Sequence, residues 1–163
     1  MQNKVINLFG SPTVGKSTLA AWLFSKLKIK YNSVELITEK SKELSYEHSN
    51  AISDYVYILG EQYHKMFVSK RMKYMVTDIP LLQLIMYYNI SVKEHIDFIF
   101  SLHNEFNNVN FFLKRNSISH LNTIYHNMTT KIEHFLRKHS IPYVEIDLEN
   151  ENSYDFVLKQ IEN

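Results

Sequence analysis
The sequence predicts an α/β fold of three layers, with a five-stranded parallel sheet flanked by helices, and two observations carry the prediction. Short apolar runs rich in β-branched residues alternate with stretches of helical period along the 163 residues. Such alternation is satisfied by parallel strands joined through right-handed crossover helices. The first apolar run ends in a glycine-bounded turn, Gly10 to Gly15, that opens directly into a helix. Ligands of such sheets bind at the carboxyl ends of the strands, so this turn marks the edge to examine for function.

Lys4 to Phe9 (KVINLF) reads as a buried parallel strand because the run is short, β-branched and cut off by a Gly/Pro turn. From Gly15 to about Ile29, Leu19, Leu23 and Leu27 recur beside Trp22, predicting a helix with one face on the sheet. Ser33 to Thr38 is the second strand, with Glu39 at its carboxyl end and a short helix from Lys40 to Glu47 after it. Ile52, Val56, Leu59, Tyr63 and Met66 step by three and four, predicting a long helix from near Ala51 to Val68 whose other face carries Gln62 and Lys65.

Tyr74 to Asp78 forms the third strand, and Pro80 suits the first turn of the next helix, where no N–H is needed. Ser91 with Glu94 reads as a capping box ahead of Val92, Ile96, Ile99 and Phe100. Val109 to Leu113 is the fourth strand. The polar stretch Lys114 to Asn127 shows no period and reads as a loop, a short lid. Thr130 with Glu133 caps the helix of Ile132, Phe135 and Leu136, unless that helix begins earlier. Pro142 to Ile146 is the fifth strand, and Asn152 precedes a last helix that turns Tyr154, Val157, Leu158 and Ile161 inward. With no linker or repeat, one domain over residues 1–163 is expected.

Lys plus Arg total 18 against 17 for Asp plus Glu, a net charge of +1 that gives no broad field for nucleic acid or anionic membrane. The absence of cysteine excludes disulfides and thiolate metal sites, and the eight histidines fit no zinc spacing. No stretch is long and apolar enough to span a bilayer, and MQNKVINLFG lacks the features of a signal peptide, so a cytoplasmic location is expected.

The segment Gly10, Ser11, Pro12, Thr13, Val14, Gly15, Lys16, Ser17 fits G-x-x-x-x-G-K-[ST] in full, between a strand and a helix as the mechanism requires. A triphosphate is held by backbone N–H groups that converge, which needs backbone angles and close approach that glycine tolerates. The helix adds its positive N-terminal end. The expected ligand is therefore ATP, with GTP as the alternative, together with Mg²⁺. Lys16 is to reach the β- and γ-phosphates, Ser17 to ligate Mg²⁺, and Thr18 to meet the α-phosphate. Asp78, an acid ending an apolar strand, is the natural carboxylate to hold Ser17 and Mg²⁺ from behind, as in a Walker B site.

A GTPase would need N-K-x-D and D-x-x-G strings, which are missing, and an LSGGQ-like transporter signature is missing too. The length leaves no room for the helical domain of an AAA+ motor, so a small kinase remains. The order GSPTVGKSTLA, VELITEKSKEL, ILGEQYHK, YMVTDIPLL resembles the nicotinamide-riboside-kinase-like group of P-loop kinases. That group is often phage-encoded, loosely labelled AAA-type ATPases, and lies near the deoxynucleoside and thymidylate kinases.

The resemblance implies a P-loop NTPase fold of the nucleoside-monophosphate-kinase kind. It also implies transfer of the γ-phosphate to a hydroxyl of a nucleoside, nucleotide or nucleoside-like small molecule. It assigns Glu39 to the acceptor hydroxyl, Gln62 to the base and Arg115, in the lid, to the phosphates. Lys42 is counted with Glu39 and Gln62 on the acceptor side. Physical chemistry agrees that a carboxylate at Glu39 near the γ-phosphate can orient a hydroxyl and take its proton late in transfer, and that an arginine after strand four can neutralise charge.

Lid arginine is scarce, and HLNTIYHN offers His120 and His126 instead. Two alternatives follow. One is a kinase of hydroxymethylated pyrimidine within DNA, which predicts a basic groove beside Glu39 from Lys40, Lys42, Lys70, Arg71 and Lys73. The other is a non-catalytic ATP-binding regulatory module. The sequence leaves a homodimer open.

Overall fold
In the computed structural model, residues 3–115, 117 and 123–162 are described, the side chains of Lys42 and Tyr46 excepted. Five strands, β1 (Lys4–Phe9), β2 (Val34–Ile37), β3 (Tyr74–Thr77), β4 (Asn108–Lys114) and β5 (Val144–Asp147), pair in parallel in the order β2-β3-β1-β4-β5. The chain thus starts in the middle of the sheet, and the turn after β1 emerges between the two directions of winding, the place where doubly wound sheets bind ligands.

Seven helices accompany the strands: α1 (Lys16–Lys30), α2 (Lys40–Tyr46), α3 (Tyr55–Val68), α4 (Leu81–Tyr87), α5 (Lys93–Asn104), α6 (Thr123–Lys138) and α7 (Ser153–Glu162), among the described residues. Period two along β1 divides the core. Ile6 and Leu8 pack with Leu19, Leu23 and Leu27 of α1 and with Val157 and Ile161 of α7. Val5 and Phe9 pack on the other side with α3, α4, α5 and α6 through Ile58, Leu82, Ile99 and Leu136. Both faces of β1 are therefore buried, as its unbroken apolar run requires.

Several boundaries depart from expectation, each for a local reason. α3 starts at Tyr55 because Asp54 accepts hydrogen bonds from the N–H groups of Val56 and Tyr57, both at 3.1 Å, and so ends the preceding 3₁₀ turn, Asn50–Ser53. The later start goes with a different inward face: Val56 is 60% exposed, while Ile58, Leu59, Gln62 and Met66 are buried. Gln62 was expected on the other face.

The Ser91–Glu94 capping box does not form. Val92 is the cap residue of α5, without a side-chain hydrogen bond. Thr130 lies inside α6, which begins at Thr123 because Tyr125 already continues the buried period of Ile132 and Leu136. The expected loop 114–127 thus becomes helical at 123, and residues 116 and 118–122, including His120, lie outside the described residues. β5 runs to Asp147 and omits Pro142, whose carbonyl accepts from Asn110 Nδ2 at 2.9 Å. No helix among the described residues is long and apolar enough to cross a membrane.

Candidate active site
The turn after β1 has the backbone its glycines predict. Gly15, at φ 116°, caps α1 in the left-handed region, and Thr13 joins it at φ 66°. At Gly10 the requirement is space, since a Cβ there would lie 2.8 Å from Val14 Cγ1 and 3.2 Å from the Leu113 carbonyl oxygen. The result is a cavity of about 430 Å³ lined by Pro12, Thr13, Lys16, Ser17 and Thr18, with Glu39 and Tyr87 opposite.

Lys16 is 8% exposed, and its ammonium donates to the carbonyls of Gly10 and Ser11, both at 2.9 Å, and to the Tyr87 hydroxyl at 3.2 Å. Burial lowers its pKa from 10.5 to about 8 against the opposing pull of Glu39 and Asp78. Burial, with Glu39 second, also raises that of the Tyr87 phenol, which stays neutral and donates to the Gly10 carbonyl at 3.1 Å.

Ser17 Oγ donates to Asp78 Oδ2 at 2.6 Å, bringing together the two residues expected to handle magnesium. The other oxygen, Asp78 Oδ1, is buried without a hydrogen-bond partner among the described residues. Beside it opens a cavity of about 310 Å³ lined by Ser17, Thr38, Glu39, Glu43 and Asp78. Hard oxygen donors with an orphaned carboxylate oxygen suit Mg²⁺, which keeps most of its coordination for water and phosphate. Among the described residues no three His, Asp or Glu side chains converge on one point, so such an ion would arrive with phosphate oxygens of its own.

Glu39 caps α2 at the end of β2 without bonding the helix's N–H groups, and its carboxylate accepts instead from Ser41 Oγ. It lines the phosphate cavity, the smaller cavity at Asp78 and a third of about 850 Å³. That third cavity has Tyr87 and Tyr88 at the end of α4, Ile52 and Met128 as apolar wall, and Ser41, Ser45, Ser53 and Asn89 as polar groups. Glu39 is the one charged residue among the described residues lining it.

Arg115 follows β4 and lies against the cradle, its Nη2 3.4 Å from where a Cβ on Gly15 would stand, with a buried Nε that has no hydrogen-bond partner among the described residues. Its neighbour Lys114 is engaged by Glu133 and Glu145 at 3.2 and 2.9 Å. Gln62 is fully buried, donating to Thr77 Oγ1 at 3.2 Å and the Ile79 carbonyl at 3.3 Å, and it does not line the 850 Å³ cavity. Lys42 belongs to α2, but its side chain lies outside the described residues.

Of the basic groove expected beside Glu39, the described residues bring only Lys40 next to it, the side chain of Lys42 lying outside them. Lys70 and Lys73 sit at the amino end of β3, the opposite edge of the sheet from Glu39; Lys70 pairs with Glu105 at 2.7 Å and Lys73 stacks on Tyr31. Lys40 pairs with Glu43 at 3.0 Å.

Sequence reasoning missed Gln83 and Tyr87. Gln83 is fully buried and makes two bonds of 3.0 Å to the backbone of Gly10, accepting from its N–H and donating to its carbonyl. Tyr87, one turn on, reaches the same carbonyl. The signal was present: in LLQLIMYY a lone amide stands four residues before a tyrosine within an otherwise apolar helix.

No protein-family model matches the chain, and no curated protein matches it either. Solved structures do. Thymidylate kinase from Ehrlichia chaffeensis superposes with a TM-score of 0.68 at 15% identity, over 99% of this chain and 98% of the other. Deoxyadenosine kinase from M. mycoides, with bound dATP, gives 0.59 at 14% identity over 98% and 100%. APS kinase from Mycobacterium tuberculosis, in complex with AMPPNP and APS, gives 0.59 at 13% identity over 99% of each chain. The fold is thus the α/β fold of nucleoside-monophosphate-kinase-like proteins, with P-loop kinases as its structural neighbours. At these identities the likeness is one of fold, and it does not single out the nicotinamide-riboside-kinase-like group.

Proposed function
We propose that this chain is an ATP-dependent kinase that moves the γ-phosphate to a hydroxyl of an uncharged, nucleoside-like small molecule. The observation that carries the reading is the position of Glu39, where the phosphate cradle opens into the 850 Å³ cavity. A reacting group beside both the γ-phosphate and Glu39 meets a carboxylate, and the described lining of the cavity has no cation to offset a second phosphate. A hydroxyl accepts that environment; a phosphate acceptor is repelled by it. The Tyr87 and Tyr88 rings offer a face to a heteroaromatic base, and the serines and Asn89 offer partners to a sugar.

In this reading the loop amides and the Lys16 ammonium hold the β- and γ-phosphates, and Arg115 approaches from the β4 side. Ser17, backed by Asp78, would hold Mg²⁺, which supplies charge neutralisation between the phosphates. Glu39, kept in place by Ser41, orients the acceptor hydroxyl and receives its proton as the oxygen bonds to the γ-phosphorus. The bond from that phosphorus to the β–γ bridging oxygen breaks, and ADP leaves. The dispersal of Lys70 and Lys73 to the far edge removes support from the reading with a DNA acceptor.

A screen of nucleosides, nucleoside monophosphates, nicotinamide riboside and modified DNA for acceptor-stimulated ADP formation tests the proposal. A nucleoside-like acceptor should stimulate, and Glu39→Gln should lower that rate about a hundredfold or more while ATP affinity holds. Wild-type protein that binds ATP yet forms no ADP with any acceptor would replace this reading with that of a nucleotide-binding module.

A further inference from the structure
A second cleft, of about 330 Å³, lies on the outer side of α4, where the turn after α4 meets α5 and α6. Its apolar wall is formed by Ile85, Met86, Ile90, Ile96 and Phe135. Its rim carries the cations Lys131 and Lys138, with His134 between them on successive turns of α6 and His139 just after the helix, and no carboxylate lines the cleft among the described residues. Neither Lys131 nor Lys138 forms an ion pair among the described residues. Asp97, on the facing helix α5, is paired with Lys93 at 3.0 Å. The His139 ring packs on Phe135 at 4.5 Å and on Phe100 at 5.1 Å, extending the apolar surface toward the rim.

This cleft is wired to the phosphate loop. The Lys131 ammonium donates to the Met86 carbonyl at 2.8 Å, in the last turn of α4, and to Asn89 Oδ1. It therefore caps the negative end of the helix whose other polar side chains, Gln83 and Tyr87, grip Gly10. Asn89, held at φ 50°, lines both this cleft and the 850 Å³ cavity.

We propose that this cleft is a second small-molecule site, selective for an anion with a flat apolar body, and that its occupation alters ATP affinity through Lys131 and α4. An anionic group drawn to Lys131 and Lys138 competes with the Met86 carbonyl for the ammonium and loosens the end of α4 that carries Tyr87. The linkage, though not the binding, rests on the reading of the Gly10–Thr18 loop as the ATP cradle. Linkage is reciprocal, so ATP must alter affinity at the cleft by the same factor.

The test uses the whole chain with 1-naphthyl phosphate, following the ring C2–H signals of His134 and His139 by NMR. Saturable shifts are expected with a dissociation constant of about 1 mM or below, with 1-naphthol and inorganic phosphate each about tenfold weaker. Lys138→Glu, at an exposed position whose side chain bonds nothing among the described residues, should weaken 1-naphthyl phosphate about tenfold. Unmoved histidine signals, or equal titrations for wild type and Lys138→Glu, overturn the site. Calorimetric ATP affinity should change about threefold or more when 1-naphthyl phosphate is saturating. Binding without that change overturns the linkage. Both readouts are independent of phosphate transfer, so a chain that proves inactive as a kinase leaves the site standing.

Discussion
The phosphate loop and the 850 Å³ cavity meet at Glu39, yet they are built differently. The loop is one continuous segment anchored within the fold at three points: Gly10 by Gln83, the Lys16 ammonium by two carbonyls and a phenol, Ser17 by Asp78. The cavity draws on Pro12, α2, the 3₁₀ turn, the end of α4 and α6, and its polar groups are set by bonds between those separate elements: Tyr87 to Gly10, Tyr88 to the Ile52 carbonyl and Asn89 to Lys131. The loop is held ready for one chemistry, a polyphosphate, whereas the cavity's selectivity depends on how separate helices are set. Changes in the loop should abolish binding; changes in the cavity should retune it.

The largest expected effect comes from removing the ammonium. Lys16→Ala should weaken ATP by about a hundredfold or more, since charge-assisted bonds to two phosphates are lost, while the circular dichroism spectrum stays that of wild type. Calorimetry checks this, and wild-type affinity would break the contrast at its root. Next is the brace. Gln83→Ala leaves the buried Gly10 N–H without its acceptor and opens a cavity, which should cost about 2–3 kcal/mol in urea unfolding. A loss under about 0.5 kcal/mol would mean the loop holds its shape without α4.

The smallest effect is a pH dependence. Because burial lowers the Lys16 pKa to about 8 from 10.5, the unfolded chain binds more protons than the folded chain between those values. Stability attributable to this group therefore rises with pH through that window and is lowest below pH 8. Against a Lys16→Met reference, wild type should gain on the order of 2 kcal/mol between about pH 7 and pH 10, read from parallel urea titrations. A flat difference would show that the ammonium is hydrated in the folded protein.

Much of the fold was legible because it is written in period and punctuation. The β1 run, the leucines of α1 and the acid closing β3 declare a strand, a helix and a loop without reference to distant residues. Boundaries failed where a short-range competitor decided, as when Asp54 capped α3 after the expected start near Ala51. In the site, the loop residues and the meeting of Ser17 with Asp78 follow from a pattern tied to one backbone shape. Gln83 and Tyr87 do not, because their importance comes from direct bonds to Gly10, 73 and 77 residues away along the chain.

The sequence by itself determined that strands and helices alternate, where the phosphate loop lies, and which residues sit beside it along the chain. Tertiary structure alone decided that Gln62 turns inward, that Lys70 and Lys73 fall at the far edge from Glu39, and that Tyr87, Tyr88 and Met128 share a cavity. The physical reason is that local period fixes which residues share a face of one element. The order β2-β3-β1-β4-β5 and the rotation of each helix on it are settled by packing among elements far apart in sequence.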